Sequence, residues 1–257
     1  MQSEAEAKAC CADLYQSDMA RLIMGDTLHP GGLGLTNRLG RLMGLRSGDW
    51  VADLASARGE SAQALARVFR CNVLGVEFGA EAVRNAQNIS PESGRAHFVR
   101  GDAECLPLRS GAFDAAVCEC SMSLFINKAQ AVAETARLLR PGGRFGLSDV
   151  TIEPDSLPPE LEGELGQVLC LTSALTADGY VDLLEEGGLS RSVNKIQRAI
   201  TVRRLQRDHG TPYVQKLIEH ISRRRAAQIR AGMKGNGVRD TDAGRMNSIT
   251  EQMRLRN

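Results

Sequence analysis

The sequence predicts an α/β fold, a doubly wound and mostly parallel sheet preceded by N-terminal helices and followed by a helical C-terminal extension. Three observations predict it. Short apolar runs of strand length alternate with amphipathic runs of helical period, a tight turn of small residues follows the first of those runs, and acidic residues stand at the ends of successive runs. Strands that alternate with helices pair in parallel, because each crossover helix carries the chain back to the same end of the sheet, and both faces are then covered.

In chain order, Glu4–Gly25 spaces Leu14, Met19, Leu22 and Ile23 along one helical face and is stopped by Gly25. The breaker-rich loop Asp26–Gly34 follows, and Leu35, Leu39, Leu42 and Met43 then define a second helix that ends near Gly44. Strands are predicted at Trp50–Leu54, Asn72–Val76, Ala96–Val99, Ala115–Cys118 and Arg144–Leu147, with helices at Glu60–Arg70, Ala80–Asn88 and Lys128–Leu139 between them. Leu161–Leu171, Ala177–Gly187 and a strand at Ser192–Ile196 continue the pattern, and Pro212–Arg230 reads as a long amphipathic helix. The expected organisation is a helical cap over residues 1–48, a nucleotide-binding core over 49–197 and a basic helical extension over 198–257.

With 257 residues, 42% hydrophobic and 25% charged, the chain is of ordinary globular composition, and no apolar run reaches the ~18 residues a membrane span requires. The acidic, alanine-rich start lacks the basic and apolar regions of a signal peptide. A cytoplasmic protein is therefore expected, with its seven cysteines as reduced thiols. A net charge of +1 conceals an asymmetry: Arg198–Asn257 carries fourteen Lys and Arg against five Asp and Glu, leaving −8 on residues 1–197. Basic residues without interleaved aromatics or zinc-knuckle spacing read as a solvated face, so no nucleic-acid partner is expected. Clustered His and carboxylate ligands are lacking too, so metal catalysis is not expected.

The chemistry lies at the predicted strand ends. Asp53-Leu54-Ala55-Ser56-Ala57-Arg58-Gly59 is a strand-to-helix turn, where backbone N–H groups and a helix N-terminus face a ligand. Glu77, followed by Phe78, ends the second strand 24 residues after Asp53, the place from which an acid accepts hydrogen bonds from ribose hydroxyls. Asp102-Ala103-Glu104 follows the third strand, Glu119 and Cys120 the fourth, and LLRPGG leads into the fifth, which ends at Asp149. A nicotinamide-binding domain would need Gly-x-Gly-x-x-Gly, which the segment ASARGE does not supply.

Over residues 49–150 these pieces, in this order, resemble class I S-adenosylmethionine-dependent methyltransferases, which implies a Rossmann-like core and S-adenosylmethionine as cofactor. The resemblance places Asp53, Ala55, Ser56, Gly59, Glu77, Phe78, Asp102, Ala103, Glu104 and Glu119 at the cofactor, with Asp102 on the adenine amino group. Ala55 and Ala57 replace two of the family's three glycines. Alanine preserves a close approach provided positions 55 and 57 do not need positive φ.

Residues 113–189 resemble the arsenite methyltransferases more specifically, through CECSMSLF after the fourth strand, CLTSAL around Cys170 and LSDVTIEPDSLPPEL. That resemblance implies trivalent arsenic held by Cys120 and Cys170. Thiolates suit a thiophilic metalloid, and catalysis would then be mostly positioning. The family's upstream cysteine is absent from Gly25-Asp26-Thr27, and Cys10 and Cys11 are candidates for a third thiolate. Cys71, Cys105 and Cys118 read as small core residues. His29 in Leu28-His29-Pro30 is a candidate general base for the alternative, a methyltransferase acting on carbon, oxygen or nitrogen of a small organic molecule. Tyr15 and Asp18 are weaker candidates. A third possibility is a non-catalytic metalloid- or cofactor-binding protein in which the Gly-to-Ala changes have abolished turnover.

Overall fold

The computed structural model describes residues 8, 31–88, 94–152 and 173–190. Apart from Lys8, the expected elements at Glu4–Gly25, Leu161–Leu171, Ser192–Ile196 and Pro212–Arg230, together with His29, Cys10, Cys11 and Cys170, lie outside the described residues.

Within the described residues strands and helices alternate except between β3 and β4, which are joined without a helix: α1 (Gly32–Leu42), β1 (Trp50–Leu54), α2 (Glu60–Phe69), β2 (Asn72–Glu77), α3 (Ala80–Asn88), β3 (Ala96–Arg100), β4 (Phe113–Glu119), α4 (Lys128–Leu138), β5 (Leu139–Ser148) and α5 (Ala177–Glu186). The five strands form one sheet in the order β3-β2-β1-β4-β5, every pair parallel. Chain order reverses between β1 and β4, so the ends of those strands and of β2 open a crevice at the switch point.

Side-chain alternation divides the core between the two faces. Val51, Val73, Ala115 and Val117 pack under Leu65, Ala66 and Val83 on one face, while Ala52, Leu54, Ala116 and Cys118 pack under Val132, Leu138 and Tyr180 on the other. β4 is buried along its whole length, as expected of a central parallel strand. Burial of a leucine such as Leu65, fully enclosed on α2, stabilises the fold by about 2 kcal/mol.

Two differences from the sequence reading have local causes. β5 starts at Leu139, five residues before the expected Arg144, because Leu139 pairs with Phe113 ahead of an irregular register between Phe113 and Ala115. An ion pair from Arg140 to Asp114, whose carboxylate also accepts the Trp50 amide at 2.6 Å, holds that entry against the sheet. Cys105, expected in the core, is exposed. The tight turn in which the Cys105 amide donates to the Asp102 carbonyl directs Ala103, Glu104 and Leu106 inward and leaves the intervening thiol outside.

Candidate functional site

Sheet order brings the predicted acids into a row. Asp102 follows β3, Glu77 ends β2, Asp53 lies near the end of β1 and Glu119 ends β4, each on a strand hydrogen-bonded to the next. Asp53, Glu77, Glu104 and Glu119 are buried.

The β1–α2 turn is the most strained part of the row. Ala55 has φ 56°, Ala57 φ 47° and Gly59 φ 85°, so all three small-residue positions require the left-handed region. The condition under which alanine would be costless fails. Each alanine gives up about 1–2 kcal/mol there. Three hydrogen bonds hold the turn regardless: Ser56 N–H donates to Val76 O at 3.1 Å, Gly59 N–H to Ser56 O at 2.8 Å, and Ala57 N–H to Glu77 Oε2 at 2.9 Å. Gly59 is irreplaceable for a second reason. A Cβ there would lie 2.3 Å from the Phe98 ring.

Glu77 is held at both oxygens, Oε2 by Ala57 and Oε1 by Gly79 N–H at 2.7 Å, which aims its carboxylate and leaves each oxygen a further lone pair. Burial raises its pKa, and the amides of Gly79, Ala57 and Phe78 oppose the rise. Asp53 is raised well above the usual aspartate range, first by burial, then by the charges of Glu119, Glu77 and Glu60, with the Ala62 amide opposing. Its Oδ2 and the Ser56 hydroxyl are buried and make no hydrogen bond among the described residues. Unpartnered buried acceptors at a crevice mark places for a ligand's donors.

At the β3 end, Asp102 Oδ1 accepts the Glu104 amide at 2.9 Å, and Glu104 Oε1 accepts the Ile126 amide at 2.9 Å. Both carboxylates also bind the Lys8 ammonium. Ala103 is buried between them, while the Phe78 carbonyl accepts from Arg100 Nε at 3.2 Å and so braces the β2 exit.

On the β4 side, Glu119 Oε2 accepts the Thr36 hydroxyl at 2.8 Å. Cys120 has φ 54°, is buried, and donates its amide to Ser148 O at 2.7 Å. Strain of this kind at a strand end is a frequent property of functional positions. Cys118 and Cys71 are core thiols. Burial pushes the Cys71 thiol up to about 11 and raises Cys118 well above the usual range. Asp149 is raised by burial yet fully engaged: it accepts Ser123 N–H and Oγ–H, both at 2.9 Å, and its own neighbour Val150 N–H at 2.8 Å.

Sequence reading missed Thr36, Ser123 and Lys8. Thr36 had a faint signal, a polar side chain on a helix whose apolar face packs on the core. Lys8 had none, since its partners lie 94 and 96 residues away.

A parallel sheet in the order 3-2-1-4-5, with acids at four neighbouring strand ends beside a strained small-residue turn, is a Rossmann-like arrangement of the kind found in S-adenosylmethionine-dependent methyltransferases. Residues 52–147 match the family described as "Methyltransferase domain". The chain is 29% identical over 170 residues to the 27-O-demethylrifamycin SV methyltransferase of Amycolatopsis mediterranei, covering 63% of this chain and 62% of that protein. It is 28% identical over 160 residues to the O-methyltransferase cnsE of Penicillium expansum, covering 60% and 56%. The chain thus spans less than two thirds of each of these two relatives. In fold it is similar to the phosphoethanolamine N-methyltransferase 2 of Haemonchus contortus, solved with phosphomonomethylethanolamine and S-adenosylhomocysteine. There the TM-score is 0.62 at 16% identity, over 73% of this chain and 44% of that one.

The residues present suit the cofactor. Asp53 Oδ2 and Ser56 Oγ have no partner among the described residues, Glu77 has both oxygens aimed by amides and would hold a ribose, and Gly59 leaves room beside the turn. When bound, S-adenosylmethionine supplies an electrophilic methyl group on a sulfonium.

Proposed function

We propose that this protein transfers a methyl group from S-adenosylmethionine to a small organic molecule, with oxygen as the receiving atom. The observation that carries the reading is the pairing of Glu77, aimed by two amides, with the unpartnered Asp53 Oδ2 and Ser56 Oγ on the adjoining strand end. Oxygen is supported by the names of the two relatives above, both O-methyltransferases. In this reading Glu77 holds the ribose and Asp53 with Ser56 takes the cofactor's amino-acid end. Asp102 takes the adenine amino group, and His29 is the base that accepts the acceptor's hydroxyl proton.

The arsenite reading is a second proposal, favoured by one feature: a cysteine, Cys120, occupies the strained position at the β4 exit. One experiment separates the two. Purified protein with methyl-labelled S-adenosylmethionine is offered a panel of phenolic and hydroxylated natural-product scaffolds, and in parallel arsenite with a thiol reductant. Label on a hydroxylated scaffold, lost in His29→Ala and kept in Cys120→Ser, is the expected result. Label on arsenic, lost in Cys120→Ser, would replace oxygen with the metalloid. No transfer to either acceptor would overturn both.

A further inference from the structure

Lys8 stands outside everything the cofactor reading uses, yet it touches that site twice. Its ammonium lies 2.8 Å from Asp102 Oδ2 and 2.8 Å from Glu104 Oε2, and its side chain is only 14% exposed. The two carboxylates belong to one tight turn, in which Asp102 Oδ1 takes the Glu104 amide. Glu104, almost wholly buried, spends its other oxygen on the Ile126 amide just past β4. A single cation therefore ties together a turn at the β3 exit and a segment at the β4 exit. Without it, two like charges two residues apart would share one turn, one of them shut away from water. The Lys8 contact with Asp102 occupies one lone pair of Oδ2 and leaves another available.

We propose that Lys8 is a positioning residue for the purine end of the cofactor cleft: by bridging Asp102 and Glu104 it fixes the carboxylate that reads the adenine amino group. This rests on the reading that Asp102 meets adenine. Lys8 acts through Asp102 and makes no contact with the cofactor itself. The bridge makes a hydrogen-bond acceptor rigid before the ligand arrives, so its contribution is to discrimination between purines as well as to affinity.

Calorimetry on the full chain tests this with two probes, S-adenosylhomocysteine and S-inosylhomocysteine, which differ at the purine edge Asp102 would read: the 6-amino donor becomes a 6-oxo acceptor and N1 gains a hydrogen. Wild type is expected to prefer the adenosyl probe. Lys8→Met is expected to bind it about tenfold more weakly while losing much less for the inosyl probe, so that the preference collapses. Lys8→Arg, which keeps the charge, is expected to recover most of the preference, and melting curves of both variants check that the fold survives. Unchanged preference in Lys8→Met, or equal loss for both probes, would overturn the role of Lys8 while leaving the cofactor reading intact. Failure of wild type to bind either probe would instead overturn the cofactor reading, and this inference with it.

Discussion

The two halves of the strand-end row are built from the same residue types and treat them oppositely. At the ends of β1 and β2, Asp53 Oδ2 and Ser56 Oγ are buried without partners among the described residues. Just past β5, Asp149 is half-buried and accepts three hydrogen bonds from Ser123 and Val150. Both carboxyls carry the cost of burial, which raises the pKa of each. Asp149 recovers that cost at both of its oxygens, whereas Asp53 is helped by the Ala62 amide but keeps Oδ2 without a partner among the described residues. On the proposed reading the open oxygen of Asp53 is kept for a ligand, whereas the saturated Asp149 props its own loop. Glu77 stands between these cases, aimed by amides but with capacity to spare.

Substitutions should separate the halves. Glu77→Ala removes two aimed acceptors and the anchor of the Ala57 amide, so S-adenosylhomocysteine affinity should fall about 100-fold, ~3 kcal/mol, in calorimetry. Asp149→Ala should do the reverse, lowering the stability measured in urea by about 2–4 kcal/mol through the donors it strands, while the same dissociation constant moves less than about threefold. Comparable losses of affinity in the two variants would erase the distinction.

Asp53 gives the contrast a pH signature. Its folded-state pKa lies above its unfolded value, so the unfolded chain binds fewer protons there, and stability must fall as pH rises from the ordinary aspartate range near 3.8 toward the folded-state value. Glu77 and Asp149 contribute in the same direction. Urea unfolding of the ligand-free protein should show that decline. Asp53→Asn should flatten it and weaken S-adenosylhomocysteine binding about tenfold. An unchanged slope would mean that Asp53 is not the strained acid.

The smallest effect belongs to the turn beside it. Ala55→Gly and Ala57→Gly each relieve a left-handed alanine but add freedom to the unfolded chain, so each should raise stability by up to about 1 kcal/mol. A loss of stability in either would show that the methyl group packs usefully.

Much of the fold was legible because a parallel sheet writes itself into sequence as period. β1 and α3 fall on the predicted residues, since Ser47-Gly48-Asp49 and the turn after Glu77 punctuate them sharply. β5 was truncated in prediction because Pro141-Gly142-Gly143 reads as a turn, although Leu139 and Arg140 are already tied to Phe113 and Asp114. The places of the acids at the strand ends were legible for a topological reason: a strand's last residue is named by the run before it. Their partners were not. Thr36 meets Glu119 across 83 residues and Lys8 meets Asp102 across 94, and no local pattern encodes such a meeting. Nor does composition announce backbone strain. An alanine at position 55 or 57 looks innocuous until its φ is seen, and Cys105 looks apolar until the turn that expels it is drawn.

In the proposed function the crevice at Asp53 and Glu77 receives the methyl donor. A calorimetric titration of the wild-type chain with S-adenosylmethionine tests it most directly. One-site binding, weakened strongly by Glu77→Ala and only slightly by Asp149→Ala, is the predicted result. The absence of any binding to the wild-type protein would contradict it.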